Sequence, residues 1–189
     1  MRLLRVFFIF VSISFLGITV NSCCRGYKYE WVYIMTENLA AEDISFDSQI
    51  SKNEFGIRIE MYNRKYTNHD VRIFNSAYAY RCFTEYSKDD SIIDITITTL
   101  NPFDSLHGEL SEVSDFFVGD SNSLFLSKDS LSLDSLVEAI NQDNYEALEN
   151  IDLFLINQDI IDTTHQFVIE IRLSDARILV DTTKSVRIY

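Results

Sequence analysis

Apolar side chains recur at every second position along much of this chain, the spacing of a strand with one face on a core and the other in water. Tyr27, Tyr29, Trp31, Tyr33 and Met35 alternate with Lys28, Glu30, Val32, Ile34 and Thr36, and Phe55, Ile57, Ile59 and Met61 alternate with Gly56, Arg58, Glu60 and Tyr62. Between Val71 and Tyr86, Tyr78, Tyr80, Cys82, Thr84 and Tyr86 oppose Ala77, Ala79, Arg81, Phe83 and Glu85. The turn-like Lys88-Asp89-Asp90-Ser91 then leads into Ile93, Ile95 and Ile97, so these two segments are expected to pair. Further strands are expected at 151–156, 167–173, 177–180 and 185–189, with a short one at Leu124-Phe125-Leu126. Pro102, Gly108 and Gly119 among many acids make Asn101 to Asp120 read as a long connection.

One stretch departs from period two. Leu133, Leu136, Val137 and Ile140 fall at i, i+3, i+4 and i+7 and form one apolar stripe on a helix. Within it, Ser135-x-x-Glu138 resembles a capping box. About eight strands and one helix, joined by short polar turns, predict a mainly β fold: an antiparallel β-sandwich, immunoglobulin-like, with one helical insertion around 133–149.

The N-terminus follows different rules. A basic stretch, Met1-Arg2-Leu3-Leu4-Arg5, precedes an uncharged apolar run from Val6 to Ile18, the layout of a signal peptide. The run is shorter than the roughly 20 residues a spanning helix needs and is interrupted by Ser12, Ser14 and Gly17. Val20-Asn21-Ser22-Cys23 resembles the lipobox of bacterial lipoprotein precursors, with Asn21 departing from the usual small residue. That resemblance implies cleavage before Cys23, a diacylglycerol thioether on its sulfur and a further acyl chain on the freed amine, and two chains already give stable attachment. The expected organisation is a signal peptide at 1–22, a short lipid tether at 23–26 and a single sandwich domain at 27–189.

Charge narrows the partners. The chain carries 16 basic and 29 acidic residues, a net charge of −13, and loss of the leader would remove Arg2 and Arg5. Between residues 89 and 171 Lys128 is the only basic residue beside 18 acidic ones. Nucleic acid is not expected as a partner, since phosphate binding needs clustered Lys and Arg. The acids are scattered among turn residues, as on a solvated face. Cys24 lies in the tether and Cys82 in a strand, where it reads as a small hydrophobe, so no disulfide is expected.

Motifs of catalysis and of metal binding are absent from the sequence. His69, His107 and His165 lie apart beside polar residues, and no G-x-S-x-G, H-E-x-x-H, C-x-x-C or Gly-rich phosphate loop occurs. No metal site and no cofactor are expected. Paired carboxylates for glycoside cleavage are defined by their separation in space and leave no sequence signature, so the question of an enzyme stays open, with the expectation against one. Trp31, Tyr78 and Tyr80 are candidates for an aromatic binding surface, the competing role being core packing. Asp followed by Ser or Thr and then an aliphatic residue or Thr occurs six times, placing candidate modified hydroxyls at Ser91, Ser105, Ser130, Ser135, Thr163 and Thr182. This tripeptide resembles the O-glycosylation sequon of exported Bacteroidota proteins, while Asp-Ser and Asp-Thr also make turns and caps.

The Cys23-Cys24 start, Tyr29-Glu30-Trp31 and the segment Phe167-Val168-Ile169-Glu170-Ile171-Arg172 are together similar to small envelope lipoproteins of Bacteroides and relatives, a group with no assigned function. The resemblance implies an address: anchored by lipid in the outer membrane, facing the periplasm, since Arg25-Gly26-Tyr27-Lys28 lacks the acidic cluster of a surface-export signal. The expected role is a non-catalytic binding or structural module for an envelope protein or glycan. The alternatives are a carbohydrate-binding or carbohydrate-active component and a pilus-type adhesion subunit.

Overall fold

The computed structural model describes residues 26–41, 43–67, 85–120, 130–142, 150–157 and 159–189. The leader, Cys23, Cys24, His69, Tyr78, Tyr80, Cys82 and the short strand expected at Leu124 lie outside these residues. Two compact units divide the chain, residues 1–29 with 65–87 and residues 30–64 with 88–189. In the first, the described residues are the start of β1 (Gly26–Ala40), the end of β4 (Phe55–Thr67) and most of β5 (Glu85–Lys88), with β5 paired to β1.

The second unit holds the remaining elements. One sheet orders β2 (Asp43–Ile44), β1, β4, β9 (Asn150–Leu155), β7 (Phe117–Asp120) and β8 (Ser130–Ser132). A second orders β12 (Ile178–Thr182), β11 (Phe167–Leu173) and β6 (Ile92–Thr99), all antiparallel. A small third sheet joins β10 (Thr163–His165), β13 (Val186–Ile188) and β3 (Gln49–Ile50), with β13 parallel to β3. The fold is thus mainly β, with antiparallel sheets packed as a sandwich and not closed into a barrel, as the alternation requires.

Alternation translates directly into burial along most strands. Phe55, Ile57, Ile59 and Met61 of β4 and Ile151, Leu153 and Leu155 of β9 turn inward, toward Phe167, Ile169, Ile171 and Leu173 of β11. Phe167 carries the contact between the layers, its ring centroid 5.7 Å from that of Phe55 and 5.6 Å from that of Phe117. Phe103 and His165 close the same cluster edge-on and stacked, at 6.2 and 6.1 Å.

The helix, α1 (Leu133–Gln142), begins before the expected capping box. Its cap is Ser132, whose Oγ accepts the Ser135 N–H at 3.4 Å, so Ser135 lies inside the first turn beside the favourable charge of Asp134. Leu133, Leu136, Val137 and Ile140 are buried as the stripe predicts. Gly119 allows the helix to approach β7, because a Cβ there would lie 2.5 Å from Leu136 Cδ2.

The segment read as a long connection is more ordered than expected. Residues 110–114 run back along β6 and cover its outer edge. Thr99 N–H donates to the Ser111 carbonyl (3.0 Å), Val113 N–H to that of Ile97 (2.8 Å), and Ile97 N–H to Ser114 Oγ (2.9 Å). After a 3-10 turn (Ser114–Phe116) the chain enters β7. At the other end of the same edge, the Asn141 amide accepts the Ile92 N–H at 3.0 Å and donates to the Ile92 carbonyl at 2.7 Å, standing in for a neighbouring strand.

Gly56 shows how tightly the first sheet is built. It faces Phe154 across the β4–β9 pairing, and a Cβ at this position would sit 2.7 Å from the Leu153 carbonyl oxygen and 3.0 Å from the Phe154 ring. Backbone cannot yield as a side-chain tip can, so Gly56→Ala should destabilise the fold by about 1–3 kcal/mol. A lowered urea midpoint would register this, and an unchanged midpoint would show that the ring and strand shift freely.

Candidate binding face

The first strand changes phase, and the change creates the site. Tyr29 and Trp31 are buried, but from Ile34 to Asn38 the buried positions are Ile34, Thr36 and Asn38, with Leu39 buried beyond them, leaving Tyr33 (49% exposed) and Met35 (46%) on the outer surface. The expectation that all five odd-numbered residues share the core face therefore fails after Trp31. A shift of one residue sends every later side chain to the opposite face.

Where the facing changes, the Trp31 backbone bonds to side chains. Its N–H donates to Asp90 Oδ2 (3.3 Å) and its carbonyl accepts from Arg177 Nη1 (2.5 Å), side chains taking places that a strand would otherwise fill. Arg177 also pairs with the Asp90 carboxylate, and with Asp175 at 2.5 Å. Further along, Thr36 donates through its N–H (2.6 Å) and hydroxyl (2.8 Å) to Asp181, and the Asn38 amide donates to the Lys184 carbonyl (3.0 Å). The separations of 146, 145 and 146 residues show β1 and the β12 segment running side by side in one direction. Side chains, with no backbone ladder between them, lace this seam.

Asp90 is buried and its Oδ1 has no hydrogen-bond partner among the described residues. Desolvation pushes its carboxyl above the usual carboxylate range, against the pull of the Trp31 amide and the Arg177 guanidinium.

On the outer face of the first sheet the exposed Tyr33 meets Tyr62 of β4. The rings stack with centroids 4.4 Å apart and planes 10° from parallel. The Tyr62 hydroxyl donates to Glu60 Oε2 at 2.7 Å, and that bond holds the phenol above its ordinary range. Next along β4, Arg58 forks onto Asp152 of β9 through two bonds of 2.7 Å, which raises the arginine and keeps it charged. Arg64 lies 3.7 Å from Glu30. Exposed aromatic area and polar groups fixed in orientation thus share one rigid sheet surface.

Trp31, a candidate for that surface from sequence, is 1% exposed and belongs to the core, where it offers no ring face to a ligand. Tyr78 and Tyr80 lie outside the described residues. Among the candidate modified hydroxyls, Ser105, Ser130, Ser135 and Thr182 are exposed and Ser91 and Thr163 half-buried, all at or near element ends. The aspartates before four of them are engaged: Asp90 and Asp181 in the seam, Asp162 with Arg187 at 3.0 Å, and Asp104 in its own turn. Of these, only the bonds of Asp104 to the Leu106 and His107 amides are the local ones of a turn; the others reach distant chain.

Two histidines take structural positions. Asp104 accepts the N–H groups of Leu106 and His107, both at 2.7 Å, and the His107 Nδ1 at 2.9 Å. Burial would raise this carboxyl, but the two amides and the imidazole outweigh it and set it below its usual range. Among the described residues no hydroxyl or thiol bonds His107, so this Asp–His pair staples a loop. His165 is fully buried, its Nε2–H donating to the Ile161 carbonyl at 2.7 Å, and desolvation holds it below the ordinary histidine range. Among the described residues no group of three or more His, Cys, Asp or Glu is placed to hold a metal ion, and no helix is long and apolar enough to cross a membrane.

Sequence reasoning set Tyr33 beside Trp31 on one aromatic face and missed that the two part, as it missed the pairings Arg58–Asp152 and Asp90–Arg177. The signal for the first was the unbroken apolar run Trp31-Val32-Tyr33-Ile34, where alternation has no polar residue to fix its phase. The ion pairs span 94 and 87 residues and have no local signal. No curated protein and no solved structure matches the chain. The family model for a domain of unknown function, DUF5034, matches residues 35–184, from Met35 on the outer face to the Lys184 end of the seam, and the chain belongs to that family.

Proposed function

We propose that this chain is a lipid-anchored module of the bacterial cell envelope that binds, without catalysing, through the outer face of its first sheet. The lipobox-like Val20-Asn21-Ser22-Cys23 behind a short apolar leader supports the anchor, with the outer membrane, facing the periplasm, as the address. The observation that carries the binding role is the exposed Tyr33, stacked on Tyr62 beside the fixed Glu60 and Arg58–Asp152 groups. A rigid sheet loses little conformational freedom on binding, and tyrosine offers large contact area with few rotatable bonds. The acidic balance favours an envelope protein or glycan over nucleic acid.

Two measurements on the full chain test this reading. Cys23→Ser should abolish acyl labelling and release the protein from the membrane fraction. Purified in detergent, the Tyr33→Ala chain should sediment with insoluble envelope material at least tenfold more weakly than the parent, with unchanged circular dichroism. Membrane fractionation untouched by the first substitution refutes the anchor. Equal sedimentation after the second refutes the face.

A further inference from the structure

Resting on that reading of the face, we infer that its ligand is a neutral glycan, bound with a sugar ring against Tyr33 and its hydroxyls donating to the neighbouring carboxylates. Tyr62 covers one side of the Tyr33 ring at 4.4 Å, yet Tyr33 is 49% exposed, so its open area is the opposite face and edge. An aromatic face carries negative potential and attracts the weakly positive C–H groups that line one side of a pyranose.

Beside this ring the polar groups are acceptors already held in place. Glu60 takes one hydrogen bond from Tyr62 and keeps its other oxygen, and each Asp152 oxygen takes one bond from Arg58 and has a further lone pair. Hydroxyl donors match them, and their fixed rotamers lower the entropy lost on binding.

Charge selects among hydroxyl-rich ligands. Among the described residues of the face, Arg58 is forked onto Asp152, and Arg64, largely exposed, lies 3.7 Å from Glu30. Glu37, which acts on both Arg58 and Tyr62, and Glu60 remain in excess. A sulfated, uronic or phosphorylated polymer would meet the net negative charge of Glu30, Glu37, Glu60 and Asp152 against Arg58 and Arg64.

A protein partner fits less well. The centres of protein interfaces are depleted of charge and rich in apolar anchors, whereas this face carries the Arg58–Asp152 ion pair, and among the described residues of β1 and β4 the strongly exposed large apolar side chains are Tyr33 and Met35. A hydrated sugar leaves that pair in contact with water.

Gel retardation of the full chain in detergent, with galactomannan, xyloglucan and mixed-linkage glucan as neutral probes, tests the inference. Chondroitin sulfate, polygalacturonate and polylysine serve as charged ones. The parent should be retarded by at least one neutral polymer and by neither anionic one. Tyr33→Ala should weaken that retardation at least tenfold, Tyr33→Phe should restore most of it by returning the ring, and Glu60→Gln should weaken it with the aromatic pair intact. Retardation by no neutral polymer, retardation indifferent to Tyr33→Ala, or binding to polylysine alone would overturn the glycan. If Tyr33→Ala still impairs envelope sedimentation while no neutral polymer retards the parent, the face stands and only the ligand class falls. If it impairs neither, the binding reading falls as well.

Discussion

Phe167→Ala should lower the stability of the fold by about 3–5 kcal/mol. Phe167 is fully buried and touches the rings of Phe55, Phe117, Phe103 and His165, so truncation opens a void bounded by the first sheet, the second sheet, the loop after β6 and the end of β10. Phe55, Phe117 and His165 are held by strand ladders and Phe103 by backbone bonds with His107 and Ile161, so they cannot collapse together into the space. With a urea dependence of about 1–3 kcal/mol per molar, the midpoint should fall by roughly 2 M, a large part of a total stability of about 5–15 kcal/mol. Ile178→Ala, at an outward position on β12 that is 53% exposed, should change stability by no more than about 0.5 kcal/mol. Comparable losses for the two substitutions would remove Phe167 from the centre of the core.

Arg177→Ala should cost about 2–4 kcal/mol at neutral pH, and the deficit should shrink in acid. The Asp90 side chain is 2% exposed, and removing its cation leaves a buried carboxylate with the Trp31 amide. Arg177 is itself 38% exposed, so water takes part of its place and the loss stays at the lower end for a broken buried pair. The pH dependence follows from the raised Asp90 carboxyl. A folded-state value above the unfolded one means that the stability linked to protonated Asp90 is complete below the unfolded carboxylate range and is lost as pH rises through the folded value. Without Arg177 that loss grows, so urea midpoints of variant and parent should lie far apart at neutral pH and converge toward pH 4. Asp90→Asn in the variant should recover stability at neutral pH by removing the charge. A deficit independent of pH would place the role of Arg177 in its bonds to Trp31 and Asp175 alone.

Legibility in the sequence followed the locality of the physics. Phe167 to Leu173 forms the strand it spells because alternating apolar residues and the turn after Leu173 are local features. The same holds for the helix stripe from Leu133 to Ile140. The strand at Phe117 was hidden because Asp115, Gly119 and Asp120 give it a turn-like composition, and its pairing with Leu153 and Leu155 comes from distant chain. Capping of α1 by Ser132 was displaced in the reading because Ser135 carries an equally good signature. The binding face was least legible, since Tyr33 looks inward by parity and turns outward at a point where the Trp31 backbone bonds Asp90 and Arg177, far along the chain.

That change of parity gives β1 an asymmetry toward mutation. Trp31 fills the interior and Tyr33 the exterior, although two residues separate them and an uninterrupted strand would put both on one side. Most substitutions at Val32 leave the arrangement intact, and loss or gain of one residue between Trp31 and Ile34 would let plain alternation hold both halves of the strand on the faces they already occupy. Indels at this point should therefore be tolerated better than indels within either half, where one residue more or less would throw the following side chains onto the wrong face.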